Sequence, residues 1–310
     1  MAAIGALNFR TPDLETRPFA FMSRPVPRAE PSAVAFGESG EVVLRFAMPG
    51  RTIEYPLDVH GDPTSLGYEW IRLGSEKAEM ASRPLRGDKV VAPVKAGFYR
   101  LNLVRGHARR IVEGLTLAVL VPFEEKEGSM LNGYRIGTYI GERLGNRGTP
   151  EGFLEITARD VDLQITKHLK VSDFLSHDRQ EVWPRYAAVS PRLLDKLELV
   201  IAEITRWHGA TTEIDLALDV RSGFRSPDHN RRIRRAARDS QHQYGDAADV
   251  ALDANGDGRL TAMDSRMVGL AVEIVELKHP SLVGGLGLYT GRRSSYVHID
   301  ARGKRARWRG

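Results

Sequence analysis

A chain of 310 residues with 42% hydrophobic and 27% charged residues has the length for about two domains and the balance of an ordinary globular protein. No apolar run nears the roughly 18 residues of a membrane span, and the lack of cysteine excludes disulfides and thiolate ligands, so any metal must be held by His, Asp, Glu or backbone oxygen. The net charge of +5 gathers late, in residues 231–238 and 302–309. It reads as a solvated basic face or as attraction to a polyanion, and with no aromatics interleaved, nucleic acid is not an expected partner.

Residues 1–32 are rich in Pro and Arg without a period, and predict an extended arm. The start lacks a basic segment followed by a long apolar one, so it is not a complete secretory signal. Either the protein is cytosolic or a leader has been removed. Residues 33–123 carry β signals at 41–46, 52–59, 97–104 and 115–121, with Met48-Pro49-Gly50 as punctuation. This spacing predicts a small antiparallel β-sandwich-like domain serving as a binding or spacer module.

Residues 124–184 read as a connecting region. Asn132-Gly133 and Gly145-Asn146 are turn-forming, and a short helix over 171–175 has Ser172 as its expected cap. The last domain, 185–310, opens on a helix. Ser190 is placed to cap it, Pro191 suits its first turn, and Leu193, Leu194, Leu197, Val200, Ile201 and Ile204 keep a helical period. A strand at 216–220, a basic helix at 231–238, a strand at 246–252, a helix at 264–277 and a strand at 296–300 follow. Strands and helices mix without a βαβ rhythm. The expected class is α+β: a C-terminal domain with a mixed or antiparallel sheet and flanking helices, preceded by the all-β domain.

Two segments of the last domain carry metal-ligand residue types. His242 and Asp249 stand seven positions apart around Gly245, which permits a tight turn, with small Ala247 and Ala248 letting the backbone pack closely. In Tyr296-Val297-His298-Ile299-Asp300, alternation puts His298 and Asp300 on one strand face. Any one of these residues alone is more often a hydrogen-bonded loop or strand-end group. Together, His242, Asp249 and His298 make a three-ligand set for zinc, with the fourth tetrahedral position free for water.

Three motifs occur in order: Ser222-Gly223-Phe224-Arg225-Ser226-Pro227, then His242-x-x-Gly245-x-Ala247-x-Asp249, then Val297-His298-Ile299-Asp300, with a Gly285-Leu286-Gly287 turn before the last. Over residues 185–310 the chain resembles the zinc D-Ala-D-Ala carboxypeptidase family of peptidoglycan peptidases. The relatives of that family include murein endopeptidases, vancomycin-resistance dipeptidases and the hedgehog domain. The resemblance implies zinc on His242, Asp249 and His298, and substrate contact by Arg225 with Ser226 beside it. An Arg can hold a free carboxylate through its planar fork; the plainer reading of Arg225 is an ion pair with Asp228. Several members carry an acidic general base three positions before the last His ligand, where this chain has Ser295. Asp300 is then expected either as the base or as a carboxylate orienting a ligand His, with Asp246 or a Glu from elsewhere in the chain as the other candidates for the base.

A second metal pattern lies at 253–264. Asp253, Asn255, Asp257 and Thr261 supply oxygen at loop positions one, three, five and nine, Gly258 stands at six, Arg259 offers its carbonyl at seven, and Asp264 closes at twelve. This is a calcium-loop spacing, with a short Asp where Glu is usual. A structural calcium ion is expected; an acidic turn without an ion is the alternative. These readings imply a zinc metallopeptidase, a D,D- or L,D-carboxypeptidase or endopeptidase. It would act on peptidoglycan or its peptides in the periplasm, in the cell envelope or outside the cell, its leader removed. The alternative is a non-catalytic cell-wall binding module stabilised by zinc and calcium.

Overall fold

The computed structural model describes residues 36–55, 57, 65–87, 89–145, 148–209, 216, 218–291 and 295–310. The expected arm at 1–32 lies outside them. The described residues hold α-helices and mixed sheets, in keeping with the α+β class.

The first part of the chain supplies β1 (Leu44–Ala47), β2 (Thr52–Glu54), β3 (Gly67–Arg72), β4 (Arg83–Pro84), β5 (Lys89–Val91), β6 (Gly97–Arg105), β7 (Ala108–Ile111) and β8 (Thr116–Val119). One sheet runs β1-β8-β6-β3-β4, with β7 paired to β6. The expected all-antiparallel pairing fails at one edge, where β1 runs parallel to β8 from Leu44↔Thr116 to Ala47↔Val119. Between those strands the chain returns through the rest of the sheet, so β1 can lie beside β8 in the same direction. Strand β3 was not expected, although its Tyr, Trp and Ile are β-favouring residues. Its Trp70 is fully buried and donates from Nε1 to the Val91 carbonyl at 2.8 Å, while Tyr68 Oη accepts from the Val91 amide at 2.8 Å. Those two bonds pin the separate β2–β5 ribbon to the sheet.

The middle of the chain supplies β9 (Val121–Pro122), the hairpin β10 (Met130–Leu131) and β11 (Tyr134–Arg135), helix α1 (Ile140–Leu144), β12 (Gly152–Ile156) and β13 (Arg185–Ala187). Strands β13, β12 and β9 form a three-stranded sheet. The hairpin turns on Asn132 and Gly133, both at positive φ, as an Asn-Gly pair favours. At 171–174 the turn is 3-10 and its cap position is Lys170, one residue before the expected run. Phe153 of β12 meets Phe123 at 5.9 Å and Phe224 at 6.4 Å. One apolar core thereby continues from the first sheet into the last.

The last part opens on α2 (Pro191–Trp207), whose apolar stripe is buried as its period requires. It continues through β14 (Asp219–Ser222), the four-residue α3 (Pro227–Asn230), β15 (Ala247–Ala251), α4 (Ala262–Lys278), β16 (Gly285–Thr290), β17 (Ser295–Asp300) and β18 (Ala306–Arg309). The sheet order is β14-β15-β17-β16-β18, antiparallel except for β16 with β18. Helix α4 packs on β16, β17 and α2. Val297 and Ile299 of β17 join that core, so alternation turns Tyr296, His298 and Asp300 to the opposite face.

Two expectations are overturned here. The basic helix at 231–238 does not form: the helix stops at Asn230 and the chain turns irregularly to Ser240. Arg231 and Arg232 bend back to Asp228 at 2.8 and 2.6 Å, and the Asn230 amide donates to the Ala237 carbonyl at 2.9 Å. Beyond those two pairs, Arg234, Arg235 and Arg238 have no acidic partner one turn ahead, so the crowded like charges give a helix no further support. The Gly285–Gly287 segment is not a turn but the start of β16. Its glycine at 287 admits the Trp308 ring, which would stand 2.4 Å from any Cβ.

Candidate metal centre

Strands β15 and β17 place Asp249 directly opposite His298, so two side chains on one sheet face meet as cross-strand neighbours. His242 reaches the same point from the turn Gln241–Tyr244, which ends on Gly245 at φ 69. A Cβ at Gly245 would lie 2.2 Å from the Ala188 carbonyl oxygen, so the turn closes only without a side chain.

The three groups converge through one atom each. His242 Nε2 stands 3.2 Å from Asp249 Oδ1 and 3.2 Å from His298 Nδ1, and His298 Nδ1 stands 2.9 Å from Asp249 Oδ1. All three residues are buried. The remaining ring nitrogens are engaged elsewhere: His242 Nδ1 donates to the Gly223 carbonyl at 2.7 Å, and His298 Nε2 donates to Asp300 Oδ2 at 3.1 Å. Those bonds fix the tautomers and leave His242 Nε2 and His298 Nδ1 as lone pairs aimed at a carboxylate oxygen. Three converging lone pairs are what a tetrahedral zinc ion takes. Among the described residues, these are the His, Cys, Asp and Glu side chains that gather three ligand atoms within 4.8 Å.

The electrostatics agree. Burial pushes His242 down, toward its neutral form. Burial acts to raise Asp249, but hydrogen bonds to His242 and His298 outweigh it and hold the carboxyl well below its usual range. Burial also acts to lower His298, yet the carboxylates of Asp249 and Asp300 on its two nitrogens raise it. The point between the ligand atoms is therefore favourable for a cation.

Asp300 lies behind the centre. It is fully buried, and besides His298 it accepts from the Gly285 amide at 2.7 Å and from Arg302 Nε at 2.8 Å. Its carboxylate faces the ring nitrogen of His298 remote from Asp249, which is the orienting position of the two expected for it. Lys196 braces the strand from the helix side: its Nζ donates to the Asp300 carbonyl and to Glu276, each at 2.7 Å. Ser295 sits on the other face of β17 and lines a crevice with Asp264 and Val268.

Arg225 is at the site. Its Nε donates to Ser222 Oγ at 2.7 Å, and its terminal nitrogen pairs with the outer oxygen of Asp249. The pairing expected with Asp228 does not form; Asp228 is held by Arg231, Arg232 and Arg135. Ser226 is a correction: it is fully buried, and its hydroxyl accepts from the His229 amide at 3.1 Å as the cap of α3. A hydroxyl committed to a cap does not face substrate.

The centre opens into a cleft of about 530 Å³. Its walls include Arg234, Arg235 and Arg302 from the two late basic segments, and residues that sequence reasoning missed: Asp239, Tyr289, Tyr296 and Trp308. Tyr289 and Tyr296 stack with centroids 4.5 Å apart, Trp308 stands 5.0 Å from the His298 ring, and its Nε1 donates to Tyr289 Oη at 2.9 Å. Only the pairing of β16, β17 and β18 assembles these rings, and no spacing in the chain announces it. A larger groove of about 870 Å³ lies over β3 and β12, but it centres on the Arg72–Glu155 ion pair and brings no ligand set together.

In the loop at 253–264, Asp253 accepts from the amides of Gly256, Asp257 and Gly258 at 2.9, 3.2 and 2.7 Å. Asp257 accepts from Arg259 N at 2.9 Å. Asp264 accepts from Ala254, Asn255 and Thr261 amides at 3.0, 3.3 and 2.7 Å, and Thr261 caps α4.

No curated protein matches the chain. Two solved structures, Sidekick-1 immunoglobulin domains 1–5 and 1–4, share 16% identity over 31% of this chain at a TM-score of 0.19. The match spans 18% and 23% of those chains, and a likeness so small carries no argument about the fold. Residues 190–300 match the family model described as Peptidase M15. That segment, with the buried His-Asp-His group inside it, belongs to the M15 zinc peptidase family, which includes the D-Ala-D-Ala carboxypeptidases.

Proposed function

We propose that the protein hydrolyses peptide bonds in peptidoglycan stem peptides or cross-links, as a zinc-dependent carboxypeptidase or endopeptidase. The observation that carries this reading is the convergence of His242 Nε2, Asp249 Oδ1 and His298 Nδ1 at the floor of an open cleft. When bound, zinc supplies an acidified water and polarises the scissile carbonyl. The chain's own residues do the rest. Asp300 holds His298 in its ligand tautomer, and against the opposing effect of burial the hydrogen bonds from His298, Arg302 and the Gly285 amide keep its carboxyl well below the usual range. Arg225, already beside the outer oxygen of Asp249, can turn its fork to a substrate carboxylate. Acting on such a substrate, the protein would work in the periplasm, in the cell envelope or outside the cell. The domain layout that serves it is 33–123, 124–184 and 185–310. Asp253, Asn255, Asp257, Arg259, Thr261 and Asp264 would hold a structural calcium ion next to strand β15.

Digestion of purified peptidoglycan by the zinc-loaded protein, with products identified by mass, tests the reading. Peptide products that disappear on chelation are expected. No product from either peptidoglycan or its isolated stem peptides would leave a non-catalytic wall-binding module in its place.

A further inference from the structure

We infer that Arg234 and Arg235 form an anion subsite of the metal cleft, which selects acidic peptides bearing a carboxylate apart from the bond that is cut. The inference rests on the peptidase reading and names the class of peptide it prefers. Four arginines line the cleft. Two are committed: Arg225 to Asp249 and Arg302 to Asp300. Arg234 and Arg235 are exposed and have no ion-pair partner among the described residues. Besides Asp249, the described acidic side chain lining the cleft is Asp239, which accepts from Tyr244 Oη at 2.5 Å. With Arg225 and Arg302 committed, two guanidinium groups stand against that one carboxylate, so the remaining side-chain charge of the walls is positive on balance, and its excess sits on one loop.

The backbone of that loop points the same way. Arg235 has φ 64, and among the described residues other than glycine only Asn132 shares a positive φ. Asn132 belongs to an Asn-Gly hairpin turn, where that conformation is common. For arginine it is unfavourable, and glycine would suit the backbone better. A long cationic side chain kept in a conformation that disfavours it, on the wall of a reactive cleft, is explained by what the guanidinium does there.

The loop is also braced. The Asn230 amide donates to the Ala237 carbonyl and the Gln243 amide donates to the Arg238 carbonyl, each at 2.9 Å. Two adjacent guanidinium groups on a fixed loop can each offer a planar pair of N–H donors to a carboxylate. The stacked tyrosines 289 and 296 line the cleft as well, giving the peptide an apolar surface. The fit is to a peptide with a side-chain carboxylate.

Calorimetry on the full zinc-loaded chain tests this with two short peptides ending in D-Ala-D-Ala whose cleavable amide bonds are replaced by uncleavable isosteres, identical except that one side-chain carboxylate is a carboxamide in the second. The carboxylate form should bind about tenfold more tightly at low salt, and the preference should shrink as salt rises. Arg234→Gln with Arg235→Gly should abolish the preference. Arg235→Gly alone should weaken it while leaving the melting temperature unchanged, because glycine relieves the backbone that a purely structural arginine would be needed to hold. Arg235→Lys should retain part of it. Equal affinity for the two peptides in the parent protein, or a preference that survives the double variant, overturns the subsite. So does inorganic polyphosphate binding more tightly than the carboxylate peptide with the same arginine dependence, which would make the loop a polyanion surface. Binding is read without turnover, so a preference seen in a protein that cuts nothing keeps the subsite and rejects only the peptidase reading.

Discussion

The centre at His242, Asp249 and His298 and the loop at 253–264 both display metal-ligand residues at suggestive spacings, yet their atoms are spent differently. In the centre, the atoms away from the ligand point have their own partners: Gly223 and Asp300 take the outer ring nitrogens, and Arg225 takes the outer oxygen of Asp249. The inner atoms are left facing one another. In the loop, the carboxylates of Asp253 and Asp264 each accept from three backbone amides, and Thr261 is a helix cap. A metal at the centre meets lone pairs already aimed at it, whereas calcium in the loop must share oxygens that turn-forming amides also use. The difference shows that a ligand spacing states which atoms are available, while the surrounding hydrogen bonds state which are unspent.

Variants can break or sharpen this contrast. His298→Ala should have the largest effect: zinc is lost on dialysis and peptide hydrolysis drops to background. Retention of one zinc per chain by metal analysis would remove His298 from the ligand set. Asp300→Asn should keep the fold and lower zinc affinity by about 10–100-fold, as loss of an outer-shell carboxylate does. A competition titration with a chelator measures it, and an unchanged affinity would separate Asp300 from the centre.

For the loop, calcium at a hundredfold excess over its dissociation constant should stabilise the protein by about 2.7 kcal/mol. Asp253→Ala with Asp257→Ala should lose that gain. If the parent protein melts at the same temperature with and without calcium, the loop's carboxylates serve as amide acceptors alone.

The smallest effect concerns Asp246, at the head of β15. Burial, reinforced by the charge of Asp300, pushes its carboxyl up to about 6 from 3.8. The folded state then binds more protons than the unfolded state between those values, so stability should fall as pH rises from about 4 to 6 and stay lower above. Asp246→Asn, neutral throughout, should be more stable at pH 7 by on the order of 1–2 kcal/mol after discounting its partial exposure. Denaturant titrations at pH 4 and pH 7 check the sign, and an equal loss in parent and variant between those pH values would rule Asp246 out as the cause.

The chain order of the motifs, the glycine between His242 and Asp249, and the alternation through 296–300 were legible in one dimension because turns and strand faces are local properties. So was the helix at 191–207, whose apolar period and first-turn proline act within a few residues. The basic helix was misread because charge composition does not report the positive φ at Arg235 or the bond from the Asn230 side chain to the Ala237 carbonyl that bend the chain there. Ser226 before Pro227 carried the same cap signature as Ser190 before Pro191, and Asp300 shared a strand face with His298 by alternation. The walls built by Tyr289, Tyr296 and Trp308 had no signal of their own, because they depend on which strands lie side by side. Residues as far apart as His242 and His298 become neighbours only when β15 pairs with β17, so the ligand types could be read from the sequence, while the direction of their lone pairs and the shape and charge of the cleft were decided by tertiary packing.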